Sequence, residues 1–156
     1  MLVFQKEVNE QYSRMKNTSE FLKNIETRLG EVEKSLLNSP NADLKYLKDV
    51  KTIKSTLQKD KIVLYGDSQI SKYQFETLPS LSSRISTIMW SQYYVNANTT
   101  NTNKTSLEYV KKELTPLVEN LKKSDENLKS IENYIKDNNL MPLTIEAPKQ
   151  SEEGDW

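Results

Sequence analysis

The chain has 156 residues, 22 basic and 22 acidic side chains, a net charge of zero, 35% apolar residues and a mean hydropathy of −0.75. Neutrality, with Arg14, Arg28 and Arg84 as the only arginines, argues against a nucleic-acid binder, which carries a basic excess and uses Arg for base contacts. The lack of Cys and His excludes thiol and imidazole catalysis and zinc sites built on either, and three Gly with five Pro are too few for the turns of a sandwich or barrel.

The clearest pattern opens the chain. Val8, Met15, Leu22, Leu29 and Leu36 recur every seven residues, and Ile25 and Val32 follow three residues after Leu22 and Leu29. Such a stripe predicts one long helix over about 3–38, stopped by Asn38-Ser39-Pro40-Asn41. A second helix is predicted over about 41–65, with Leu44, Leu47, Val50, Ile53, Leu57 and Leu64 inward. The short link makes the two an antiparallel hairpin. Gly66 is placed at the left-handed position that ends the second helix, with Asp67 setting the turn after it.

Residues 67–79 are expected to be a connection held against the bundle by Tyr73, Phe75 and Leu78. Ser80 caps a third helix over about 80–94, with Leu81, Ile85, Ile88 and Met89 inward. A polar loop follows over 95–105. Thr105 and Glu108 stand at the spacing of a capping box and open a fourth helix over about 106–138. There Leu107, Leu114, Leu121, Leu128 and Ile135 repeat every seven residues, joined by Val110, Leu117 and Ile131, and the register runs unbroken across Pro116, where a kink is expected. The fold expected is all-α: an elongated antiparallel four-helix bundle over residues 1–140, with an extended, mobile tail over 141–156. Its two long helices would reach about 50 Å at ~1.5 Å per residue.

Candidate chemistry is sparse. Carboxylates are plentiful, but Glu31 and Glu33 sit on solvated faces rather than across a cleft, as a glycosidase pair must. A di-iron site of the bundle type requires Glu-x-x-His, and there is no His. Gly66-Asp67 lacks the further glycines and the Lys of a phosphate loop. Asn17, Asn98 and Asn103 begin glycosylation sequons of the kind chance supplies in an Asn-rich chain. Trp90, Tyr93 and Tyr94 cluster at the end of the third helix, either plugging the bundle end or forming an interaction surface. No catalytic, cofactor-binding or metal site is expected, and the chain is read as not an enzyme. The longest apolar run is Ile62-Val63-Leu64-Tyr65, too short to cross a bilayer, and no signal peptide is evident. The chain itself therefore names no compartment.

One longer pattern carries a resemblance. Leu64-Tyr65-Gly66-Asp67, then Leu78-Pro79-Ser80-Leu81 with Arg84, Ile85 and Trp90, a Thr/Asn-rich loop, and a long helix containing Leu114-Thr115-Pro116 follow one another up to Met141-Pro142. This succession resembles the C-terminal helical region of bacterial sortilin-like β-propeller proteins, which carry sialidase-type (BNR) repeats and are often labelled glycosyl hydrolases by similarity. It covers the chain from the first helix to about residue 148. The resemblance implies an exported parent protein, periplasmic or extracellular, whose propeller carries any hydrolase activity. The bundle would be a non-catalytic appendage whose partner is that propeller, with Glu76 and Arg84 as a structural ion pair fixing the approach to the third helix. The rival expectation is a stand-alone helical adaptor or coiled-coil-type oligomerisation protein; a homodimer is not favoured.

Overall fold

A computed structural model describes residues 2–73, 76–93 and 99–140. They form five helices: α1 (Leu2–Leu37), α2 (Leu44–Tyr65), α3 (Ser68–Lys72), α4 (Leu81–Tyr93) and α5 (Asn101–Asp137). There is no strand among the described residues, so the fold is all-α. The predicted tail, residues 141–156, lies outside the described residues, as does Phe75.

The helices begin and end for local reasons. Asp43 caps α2 by accepting from the Lys45 N–H at 2.9 Å, so the helix starts at Leu44, later than the predicted 41. Leu44, expected inward, is consequently on the first turn and exposed. Gly66 ends α2 at φ +90°, its N–H donating to the Ile62 carbonyl at 2.8 Å. Asp67 then accepts from the N–H groups of Gln69 and Ile70, and this cap starts the short helix α3 where a plain connection was expected. α5 ends with Asn139 at φ +50° and the Leu140 N–H donating to the Ile135 carbonyl, the left-handed closure that Asn tolerates better than most residues. The helix runs continuously through Pro116.

Chain contacts divide the described residues into two compact units. The first takes residues 2–19 and 60–118, and so holds α3, α4 and the first halves of α1 and α5. Here Lys111 bonds Glu7 and Arg14 donates to Thr115, so α1 and α5 run parallel. Asn103 meets Ser91 while Arg84 meets Tyr109, which sets α4 antiparallel to α5. The second unit takes residues 20–59 and 119–140. In it Lys54 pairs with Glu33 and Tyr46 stacks on Tyr134, so α2 runs against both long helices. The predicted bundle is thus correct as a helical bundle, but α1 and α5 lie side by side in the same direction rather than antiparallel.

The cores follow the repeats. Every predicted seven-residue position of α1 and α5, from Val8 to Leu36 and from Leu107 to Ile135, is buried. So are their partners Ile25, Val32, Val110, Leu117 and Ile131.

Candidate contact surface

Of the residues singled out in the sequence, Gly66, Asp67 and Ser80 hold the local roles expected. Ser80 Oγ accepts from the Ser83 N–H at 3.1 Å and its carbonyl accepts from Arg84 N, which starts α4. Thr105 and Glu108 do not cap anything. α5 begins one turn earlier, where Thr100 Oγ1 accepts from Asn103 N at 3.1 Å. Thr105 is inside the helix, donating to the Asn101 carbonyl, and Glu108 bonds Lys111. The earlier start wins because Asn103 is then buried, its amide donating to Ser91 Oγ at 2.9 Å. The same burial closes Asn103 as a glycan acceptor.

The ion pair expected between Glu76 and Arg84 does not form. Glu76 is exposed, and the Arg84 guanidinium lies 4.2 Å over the Tyr109 ring instead. A guanidinium is weakly hydrated and stacks readily on an aromatic face, and this ring is supplied by the neighbouring helix. Trp90 and Tyr93 are not buried as a plug either. Trp90 is 60% exposed and Tyr93 55%, Tyr93 being tethered by its hydroxyl to Asn9 Oδ1 at 3.1 Å. Tyr94 lies outside the described residues.

Exposed large apolar side chains are unevenly shared. Among the described residues fourteen are exposed, and of these only Leu37 and Leu44, beside the α1–α2 turn, belong to the second unit. The other twelve belong to the first, among them Leu2, Val3, Ile62, Val63, Ile70, Tyr73, Leu78 and Trp90. Scattered apolar residues on a surface are ordinary, and these twelve are spread over all five helices and the α3–α4 link, so their number makes the first unit the candidate for contacts. The same unit has an open groove of about 510 Å³ lined by Val3, Phe4, Glu7, Thr99, Lys104, Leu107 and Glu108. At its edge Lys111 bonds both Glu108 and Glu7 at 3.0 Å, and these bonds hold its pKa above the ordinary lysine value against a smaller opposing effect of burial. The α4 ridge of Ser83, Ser86, Thr87, Trp90 and Tyr93 is exposed and carries no charge, in a chain that is 28% charged.

The sequence reading missed a buried ionic cluster in the second unit. Arg28 is 1% exposed. Its Nε and one terminal nitrogen donate to the two oxygens of Glu132 at 2.9 and 2.8 Å, a bidentate pair. The other terminal nitrogen donates to Asp125 Oδ1 at 2.5 Å and to Asn24 Oδ1 at 3.3 Å. Lys129 reaches Asp125 Oδ2 at 2.9 Å, so two cations meet two carboxylates. Burial opposes the charge on Arg28, but its hydrogen bonds to Glu132 and Asp125 and their negative charges outweigh it and raise its pKa. Both carboxylates of this cluster are thus occupied by Arg28 and Lys129. The available signal was Ser124, a small polar residue at an inward position of the α5 repeat.

Among the described residues no group of three or more His, Cys, Asp or Glu could hold a metal ion, and no helix is long and apolar enough to cross a membrane. The chain matches no protein-family model, no curated protein and no solved structure.

Proposed function

We propose that the chain is a non-catalytic helical-bundle module that makes protein contacts through its first unit. The observation that carries this reading is that, among the described residues, twelve of the fourteen exposed large apolar side chains belong to that unit, Trp90 and Tyr93 included. Aromatic side chains of this kind serve as anchors in protein interfaces, where they supply large contact area at small entropic cost. The partner we propose is the propeller of a larger exported parent protein, as the resemblance around Gly66-Asp67 and Pro79-Ser80 implies. The left-handed Gly66 and the Ser80 cap are in keeping with that motif. The buried stripes of α1 and α5 also favour an appendage over a self-pairing adaptor, which would keep a long apolar seam outside.

An immunoblot of the source organism with antibody to this chain tests the proposal. A band several times larger than 18.1 kDa is expected. A band at 18.1 kDa would end the appendage reading and turn attention to free-standing partners.

A further inference from the structure

The inward face of α4 runs out of apolar side chains. Leu81, Ile85 and Ile88 fill three inward positions, and Gln92 takes the fourth. Gln92 is 3% exposed, and neither its amide oxygen nor its amide nitrogen has a hydrogen-bond partner. A buried amide left unpaired opposes docking of the helix that carries it. Arg84 Nε is buried and unpaired on the same helix, as are Gln11 Oε1 and Arg14 Nε on the α1 side of this unit. Gln11 and Thr18 stand in the α1 repeat where Ile25 and Val32 stand in the second unit.

A helix of 13 residues is marginal in water by itself, so α4 depends on packing. That packing includes three fully buried apolar side chains, the half-buried Met89, and peripheral tethers such as Ser91 to Asn103, Tyr93 to Asn9, and Arg84 over Tyr109. The second unit contrasts with this, because its buried charged centre on Arg28 is hydrogen-bonded at all three guanidinium nitrogens.

We propose that α4 opens from α1 and α5 as a separate cooperative element while the second unit stays folded. Short segments open sub-globally where their docking is weakest, and on α4 it is the unpaired buried amide of Gln92 that weakens it. Opening exposes Leu81, Ile85 and Ile88, an i, i+4, i+7 row that is covered in the closed form. The helix that carries Trp90 on its outside is thereby a displaceable cover for the interior of its own unit. This inference concerns the chain alone and stands whether or not the propeller is its partner.

Native-state hydrogen exchange on the full chain tests it. Amides of residues 85–89 are expected to exchange about 100-fold or more faster than those of residues 121–132, with a smaller denaturant dependence. Gln92→Leu removes the unpaired amide and is expected to slow the α4 amides roughly tenfold or more. Because the chain has no Cys, Ser91→Cys with Asn103→Cys introduces one cross-link between side chains that already meet. Oxidation of that pair is expected to narrow the gap and reduction to restore it. Amides of α4 and α5 exchanging at one rate with one denaturant slope would overturn the proposal. So would faster α4 exchange in Gln92→Leu, or a gap indifferent to a cross-link shown to have formed.

Discussion

Arg28 shows how a charge can be tolerated in a small core. Its partners are two carboxylates, one held bidentately, and an Asn side chain, so nearly every polar hydrogen is used. Removing the cation alone would leave Asp125 and Glu132 buried without it, with only Lys129 in attendance. Arg28→Met is therefore expected to cost about 3–5 kcal/mol in urea unfolding, whereas replacing Arg28, Asp125 and Glu132 together with apolar side chains should recover most of that loss. Lys111 gives a pH prediction of definite sign. Its folded pKa is raised by Glu108 and Glu7. Its contribution is full below the unfolded value of about 10.4 and is lost as pH rises through the folded one. The stability difference between the wild type and Lys111→Met should stay constant up to about pH 10 and vanish in more alkaline solution. A difference that shrinks on acidification from pH 9 to pH 7 would reject this account.

At the scale of the element, the start of α5 separates two readings of one sequence. Thr100 and Thr105 both stand before plausible helix, and only Thr105 has an acidic residue three positions on. The structure caps at Thr100 because the extra turn buries Asn103 against Ser91. Thr100→Ala should cost about 1 kcal/mol. Thr105→Ala should change thermal stability little, since it removes one hydroxyl bond to the Asn101 carbonyl inside an exposed turn. Equal losses from the two would restore the capping box. The seven-residue repeats of α1 and α5 were legible because burial of a helical stripe is written locally, one turn at a time. The cation–π contact of Arg84 and the cluster at Arg28 were not, because each depends on a helix far away in sequence: Tyr109 for one, Asp125 and Glu132 for the other. Leu44 was misplaced for a smaller reason, a helix start set by Asp43 three residues beyond the predicted one.

For the whole molecule, the inward closure of both long stripes carries a prediction about association. Sedimentation equilibrium should return a monomer of 18.1 kDa for this chain. A tight dimer would favour the adaptor reading over the appendage. The parallel course of α1 and α5 was the least legible feature. A helix count and short links suggest alternation of direction, whereas here α2 and α4, in their separate units, both run against the two long helices.

The Arg28 cluster has a consequence for alignment. Leucine-type positions that recur every seven residues on both α1 and α5 are translationally degenerate. A slide of one heptad would lay Leu121 where Leu128 was and leave the apolar match nearly intact. It would also bring Val118 or Asn139 into one of the two places that Asp125 and Glu132 now fill, and Arg28 would lose a carboxylate. The cluster therefore selects one alignment among several of similar hydrophobic energy, a use for which buried polar groups are best attested. The variant with all three groups made apolar should keep its stability and lose this selection, giving doubled backbone amide peaks for residues 20–37 and 119–137. A single set of peaks would assign the choice of alignment to the connections instead.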